Sequence, residues 1–183
     1  MALNIDFMTI VNVQPTAYFL IGVPGSGKST LVHDCALKKS VLPHFHEDTI
    51  NNSVRIAPDF YIEMWATDLG LTYNDIFKDS IKLAERYMNN ALERAIKNDH
   101  SIVWDQTNVS VKNRKNKLDK IPKNYYKVAI FFEVPRDLEA RLKSRPGKEI
   151  PQAVMDTMKS NLEMPTKEEG FNEIFIIKNE AVH

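Results

Sequence analysis

The chain has 183 residues, 43% of them hydrophobic, enough for one good core and too few for two large domains. Its 24 lysines and arginines balance 24 aspartates and glutamates, so no global field draws it onto nucleic acid or an anionic membrane, and any basic patch must be local. The single cysteine, Cys35, cannot close an internal disulfide; it falls on an apolar helical stretch, where a small buried hydrophobe is the expected role, and suits a reducing cytoplasm. The N-terminus, MALNIDFMTIVNVQPT, lacks the cationic start and cleavage pattern of a signal peptide, and no apolar run approaches the ~20 residues needed to cross a bilayer. The expectation is one cytoplasmic domain over 1–183 with no membrane partner, residues 1–16 forming an N-terminal extension.

In chain order, Ala17 to Gly22 (AYFLIG) is a short apolar run ending in glycine, and LVHDCALKK after the glycine-rich loop reads as a helix. Lys39 to Pro58 is the least legible stretch, with at most a short strand near Val54 to Ile56. FYIEMWATDL reads as a helix. Asn74 to Lys97 carries Ile76, Phe77, Ile81, Ala84, Met88, Ala91, Leu92 and Ala95 at three- and four-residue spacings, one long amphipathic helix. The runs SIVW before Asp105, VAIFFEV before Pro135 and IFIIK (Ile174 to Lys178) have the look of buried strands. Between them lie helical segments at Lys112 to Lys120, Arg136 to Ser144 and Pro151 to Leu162. Strands alternating with helices predict an α/β three-layer sandwich with a mostly parallel, roughly five-stranded sheet, and the helices of about 136–165 predict a lid.

Gly22, Gly27, Lys28 and Ser29 satisfy G-x-x-x-x-G-K-[ST], so Gly22, Pro24, Gly25, Ser26, Gly27, Lys28, Ser29 and Thr30 are the candidate nucleotide cradle. Glycines let consecutive N–H groups turn inward around phosphate oxygens, and the following helix adds about half a positive charge. Lys28 supplies a full charge for the β- and γ-phosphates, and the Ser29 hydroxyl is a hard oxygen ligand for Mg²⁺. ATP and Mg²⁺ are the expected cofactors.

What receives the phosphoryl group depends on carboxylates. Asp59, after Ala57-Pro58, could cap the helix it opens or take a proton from an attacking hydroxyl. Asp105 ends SIVW at the carboxyl edge of a strand, where ligands of open α/β sheets collect; it could hold Mg²⁺ directly or through Ser29 and water, or be an ordinary strand-end residue. Thr107 and Asn108 could orient acceptor or phosphate oxygens, or simply form a turn. In RDLEARLKSRPGKEIP, Arg141 and Arg145 share one helical face, where two guanidinium groups could neutralise a transferring phosphoryl group; pairing with Glu139 and Glu149 is the plainer alternative.

GVPGSGKST, the APD containing Asp59, WDQTN ending at Asn108, R-x-x-x-R at Arg141 and Arg145, and the tail EGFNEI recur in an order that resembles the 5′-hydroxyl kinase domain of phage polynucleotide kinase and its small AAA-type P-loop relatives. The resemblance spans roughly Ala17 to Ile177. It implies that Lys28 and Ser29 bind ATP and metal, Asp59 is the general base, Asp105 supports the metal and Ser29, and Arg141 and Arg145 are lid arginines on the phosphates. One departure concerns the acceptor: an arginine three residues after the catalytic aspartate grips the reacting end in that family, and here the position is Ile62. Some phage relatives instead phosphorylate the hydroxymethyl group of 5-hydroxymethyluracil in DNA, with which the loss is compatible.

The stretch VKNRKNKLDKIPKNYYK, with Arg114 among its cations and Tyr125 and Tyr126 interleaved, has the composition of a single-strand nucleic-acid groove, though a solvated lysine-rich helix reads the same way. Trp104 beside Asp105 is the candidate for stacking on an acceptor base, with a core position as its alternative. His33, His44, His46 and His100 show no metal-ligand spacing. Three functions stay open: a kinase acting on a nucleic acid, DNA above all, or a nucleotide; a kinase of nucleosides or other small metabolites; and an ATPase switch, against which Gln106 beside Asp105 speaks, since it stands where a glutamate would position water for hydrolysis.

Overall fold

The computed structural model describes residues 14–37 and 53–178. The N-terminal extension up to residue 13 and most of the stretch from Lys39 to Pro58, His44 and His46 included, lie outside them. Five strands, β1 (Thr16–Ile21), β2 (Ser53–Ile56), β3 (Ser101–Asp105), β4 (Tyr126–Phe132) and β5 (Glu173–Ile177), form one sheet in the order β2-β3-β1-β4-β5. Every pairing is parallel, which sharpens the expected mostly parallel sheet. The helices are α1 (Lys28–Leu37), α2 (Pro58–Leu69), α3 (Tyr73–Lys97), α4 (Val111–Leu118), α5 (Leu138–Lys143) and α6 (Gln152–Ser160).

The pleat divides the strand residues between two cores. Ala17, Phe19, Ile21, Ile102, Trp104, Ala129 and Phe131 face α3 and α4, meeting Met88, Leu92, Ala95 and Leu118. Tyr18, Leu20, Val103, Val128, Ile130 and Phe132 face the other way, against Leu31 and Val32 of α1. These are the three layers of the sandwich. Helix α3 starts where Thr72 and Asp75 form a reciprocal capping box, the Thr72 amide donating to the Asp75 carboxylate at 2.8 Å. With α2 it forms a hairpin sealed by Ile62, Ala66, Ile76 and Ala84. No helix among the described residues is long and apolar enough to cross a membrane.

Several residues expected at the substrate belong instead to this scaffold. Trp104 is only 1% exposed, stacks on Phe19 at 5.4 Å and donates its indole N–H to Gln106 at 2.8 Å, so it cannot receive an acceptor base. Arg114 is fully buried. Its guanidinium forks onto Glu169 at 2.7 and 2.8 Å and donates to the carbonyls of Asn108, Val109 and Glu163, bolting α4 to two loops. Asn108, also fully buried and with a positive φ of 49°, donates from its amide nitrogen to the Leu20 and Trp104 carbonyls and accepts from the Lys117 ammonium. Tyr125 is buried with its hydroxyl donating to the His100 carbonyl. Burial pushes the Lys117 ammonium down to about 7, and its hydrogen bond to Asn108 commits it to the interior. The basic stretch thus turns its one arginine, one lysine and one tyrosine inward, and the groove composition read from the sequence is not all on the surface.

Because Arg114 and Glu169 leave almost no exposed surface (0% and 6%), removing one charge strands the other. Glu169→Gln should lower unfolding free energy by about 3 kcal/mol in urea titrations, while nucleotide binding to the folded fraction persists. An unchanged midpoint would show that the pair contributes nothing.

Candidate active site

The phosphate loop emerges from the carboxyl end of β1, the central strand. Its entry is tied down by the Gly22 amide, which donates to the Thr107 carbonyl at 2.9 Å. Thr107 therefore serves the site through its backbone. Gly25 has φ +83°, and a Cβ there would lie 2.8 Å from Leu138 Cδ1 of α5. The position needs glycine both for its backbone angle and because α5 lies directly on it. Val23, fully buried, is the loop's anchor in a small lid core with Leu138, Met155, Leu142, Ile150 and Met158. Ser26 is buried, Pro24 half-buried, and Ser29 and Thr30 are exposed on the first turn of α1.

Lys28 curls back over the loop, donating to the carbonyls of Gly22 and Val23, each at 2.8 Å, and to Ser26 Oγ at 3.4 Å. Burial pushes its ammonium down from 10.5 to about 8; the charges of Asp105 and Asp59 oppose that shift, while those of Arg145 and Lys148 add to it. The charges of these four side chains, from β3, α2 and the segment after α5, therefore all act on Lys28.

Asp105 is the last residue of β3. Its Oδ2 accepts from Ser29 Oγ at 3.2 Å and from Arg55 Nε at 3.0 Å. The Ser29 hydroxyl and the Asp105 carboxylate are hard oxygens of the kind that would hold a Mg²⁺. Arg55 was not singled out in the sequence; its only signal was one cation inside an otherwise apolar strand segment. Its guanidinium also sits 5.7 Å over the Phe60 ring.

The capping role of Asp59 is not what forms. The N-cap of α2 is Ala57, no side chain caps the helix, and Pro58 occupies the first turn where its missing N–H costs nothing. Asp59 instead accepts from the Tyr73 hydroxyl at 2.9 Å on Oδ1 and from Lys148 Nζ at 2.8 Å on Oδ2, with 47% of its side chain exposed. Burial and the Asp59 charge raise the Tyr73 phenol above its ordinary value, so it remains a donor to that carboxylate. Ile62, where the resemblance expects an arginine, is fully buried between α2 and α3 and cannot reach a substrate.

On α5, Arg141 pairs with Asp137 at 2.8 Å, one helical turn back, rather than with Glu139 or Glu149. A Cβ on Gly27 would stand 3.9 Å from Arg141 Nη1, so the same guanidinium borders the phosphate loop. Arg145 makes no side-chain hydrogen bond or ion pair among the described residues, and its charge reaches Lys28. Lys28, Ser29, Asp59, Asp105, Arg141 and Arg145 are thus gathered at one edge of the sheet, whereas Trp104, Asn108 and Arg114 are spent on scaffold.

Comparison with known proteins agrees with this architecture. No curated protein sequence matches the chain. Among solved structures, a candidate kinase from Chloroflexus aurantiacus superposes with a TM-score of 0.58 at 16% identity, covering 90% of this chain and 85% of that one. A chain of the PezAT chromosomal toxin–antitoxin system of Streptococcus pneumoniae gives 0.55 at 18% identity over 91% and 68%. A gluconokinase from Sinorhizobium meliloti gives 0.50 at 16% identity over 92% and 85%. At such identities the likeness is one of fold. The sequence pattern of the AAA domain matches residues 18–165, from the middle of β1 through the lid, and the chain belongs to that P-loop family.

Proposed function

We propose that the chain is a kinase that moves the γ-phosphoryl group of ATP to a hydroxyl of a nucleic acid or nucleotide. The observation that carries this reading is Asp59, a carboxylate free of capping duty, held by Tyr73 and Lys148 and near enough for its charge to act on Lys28 of the phosphate loop. Loop amides and Lys28 would bind the phosphates, and Ser29 with Asp105 would hold Mg²⁺. A bound Mg²⁺ would neutralise charge on the phosphate oxygens. Asp59 would accept the proton of the acceptor hydroxyl as its oxygen bonds to the γ-phosphorus and the bond to the β-γ bridging oxygen breaks, releasing ADP. Arg141 and Arg145 would steady charge on the transferring group, and the lid packed on Gly25 would keep water from it. The acceptor hydroxyl is either a 5′ end or the hydroxymethyl group of a modified base such as 5-hydroxymethyluracil in DNA.

A small-metabolite acceptor is the second reading. Its support is the inward turn of Arg114, Lys117 and Tyr125, which removes them from any surface groove for a strand. A polymer acceptor should show a KM that falls with oligonucleotide length and rises with salt, because phosphate contacts release counterions. Indifference to both would move the assignment to a small molecule.

Two outcomes test the roles of the residues. Asp59→Asn should bind ATP with unchanged affinity and lose transfer by about 10²–10⁴-fold, measured as equilibrium titration against steady-state rate; full transfer would remove Asp59 as the base. Lys28, with its ammonium near 8, is charged at pH 7 and mostly neutral at about pH 9, whereas bound polyphosphate favours the charged form. ATP binding should therefore take up close to one proton at about pH 9 and almost none from this group at pH 7, read by calorimetry in buffers of different ionisation enthalpy. The absence of uptake at the higher pH would separate Lys28 from the phosphates.

A further inference from the structure

Lys148 was one more cation near a Pro-Gly break in the sequence, yet it is one of the most heavily engaged side chains at the site. Its ammonium lies between two carboxylates of α2 one helical turn apart, Asp59 at 2.8 Å and Glu63 at 2.6 Å, and rests 4.2 Å above the Tyr73 ring. Only 16% of the side chain is exposed, against 47% and 51% for its partners, so the lysine is the buried member of the cluster. Tyr73, beneath the ammonium, donates its hydroxyl to the other oxygen of Asp59 at 2.9 Å. The base is thus gripped on both oxygens, once from its own hairpin and once from the segment that follows the lid helix.

That segment is fastened independently. The Asn74 amide donates to the Gly147 carbonyl at 3.0 Å, and Asn74 Nδ2 donates to the Glu149 carbonyl at 3.2 Å. Gly147 has φ +74°, and a Cβ there would stand 2.6 Å from Thr72 Cβ, so the turn lies flat on the start of α3. The Lys148 amide closes the turn onto the Arg145 carbonyl at 3.3 Å. One tight turn therefore carries two cations of the site, Arg145, whose charge reaches Lys28, and Lys148, whose ammonium is bound to Asp59.

We infer that Lys148 is a positioning residue that locks the acceptor base to the lid, so that Asp59 is correctly aimed only when Arg145 is in place at the phosphates. The inference rests on the reading of Asp59 as the base for its kinetic consequence, and on contacts alone for its mechanical one. A turn that holds both groups makes their separation a fixed dimension of the site. Without the ammonium, Asp59 keeps Tyr73 but loses its second strap, and the turn keeps only the two hydrogen bonds its carbonyls accept from the backbone and side-chain amides of Asn74.

The test uses the full chain carrying Lys148→Ala, Lys148→Arg or Gly147→Ala. Lys148→Ala should lower kcat for transfer by about 100-fold, the scale of a base displaced by an ångström, while equilibrium ATP affinity changes by less than about twofold. Lys148→Arg, whose fork can also span two carboxylates, should recover most of that loss. Gly147→Ala keeps the cation but forces the turn off Thr72, and should lower kcat as Lys148→Ala does. Amide hydrogen exchange at Asn74 should speed in Lys148→Ala and Gly147→Ala and stay slow in Lys148→Arg. An unchanged kcat in Lys148→Ala, or full transfer in Gly147→Ala, overturns the coupling. Should the wild-type chain transfer phosphate to no acceptor at all, the kinase reading falls, and the exchange rate at Asn74 alone then decides the latch: faster exchange in Lys148→Ala supports it, unchanged exchange refutes it.

Discussion

The sheet's backbone hydrogen bonding runs out at the carboxyl end of β1, and the groups left there must be satisfied inside a buried core. β1 is flanked on both sides by parallel partners and is almost wholly buried, so neither Leu20 nor Gly22 can turn to bulk water for a partner. Asn108 donates to the Leu20 carbonyl, the Thr107 carbonyl accepts from the Gly22 amide, and Lys28 covers the carbonyls of Gly22 and Val23. The phosphate loop is therefore suspended from the scaffold by the same contacts that close the sheet. That explains why Asn108 and Arg114, plausible substrate ligands by composition, are occupied: Arg114 holds the Asn108 carbonyl and Asn108 holds the strand.

Around that suspended loop the charges are arranged in opposition. Lys28 is buried deeply enough to lose much of its preference for the charged form, and Asp105 and Asp59 restore part of it while Arg145 and Lys148 work against it. In the proposed reaction such a balance would leave cations for a polyphosphate and carboxylates for a metal and a hydroxyl. The neutral overall charge of the chain is consistent with this, since the field that matters is confined to one edge of the sheet.

Much of the fold was legible because its signals are local. The apolar runs of β1, β3 and β4, the periodicity of α3 and the glycine pattern of the loop each depend on neighbouring residues, and each element lies within a residue or two of where its pattern ends. The partners of side chains were legible only where a motif fixes them. Trp104 reads equally as a core residue or a stacking ring because it ends an apolar run beside Asp105, and Tyr125 reads as part of a basic surface because it follows a run of lysines; the pleat, which turns Trp104 onto Phe19, decides for the core. Arg55 and Lys148 were passed over for the opposite reason: their partners, Asp105, Asp59 and Glu63, lie fifty to ninety residues away, beyond any spacing rule. Ile62 shows the intermediate case, a departure visible in sequence whose cause, burial in the α2–α3 hairpin, needs the packing.

The central claim, that Asp59 and the phosphate loop together move a phosphoryl group to a hydroxyl, is tested most directly by incubating the chain with Mg²⁺ and γ-labelled ATP. The acceptors are 5′-hydroxyl DNA and RNA, end-blocked DNA containing 5-hydroxymethyluracil, and free nucleosides. Label should appear covalently on one acceptor class and nowhere else, which would also name the hydroxyl. Release of labelled inorganic phosphate with every acceptor left unlabelled would contradict the account and point to a nucleotide-hydrolysing switch.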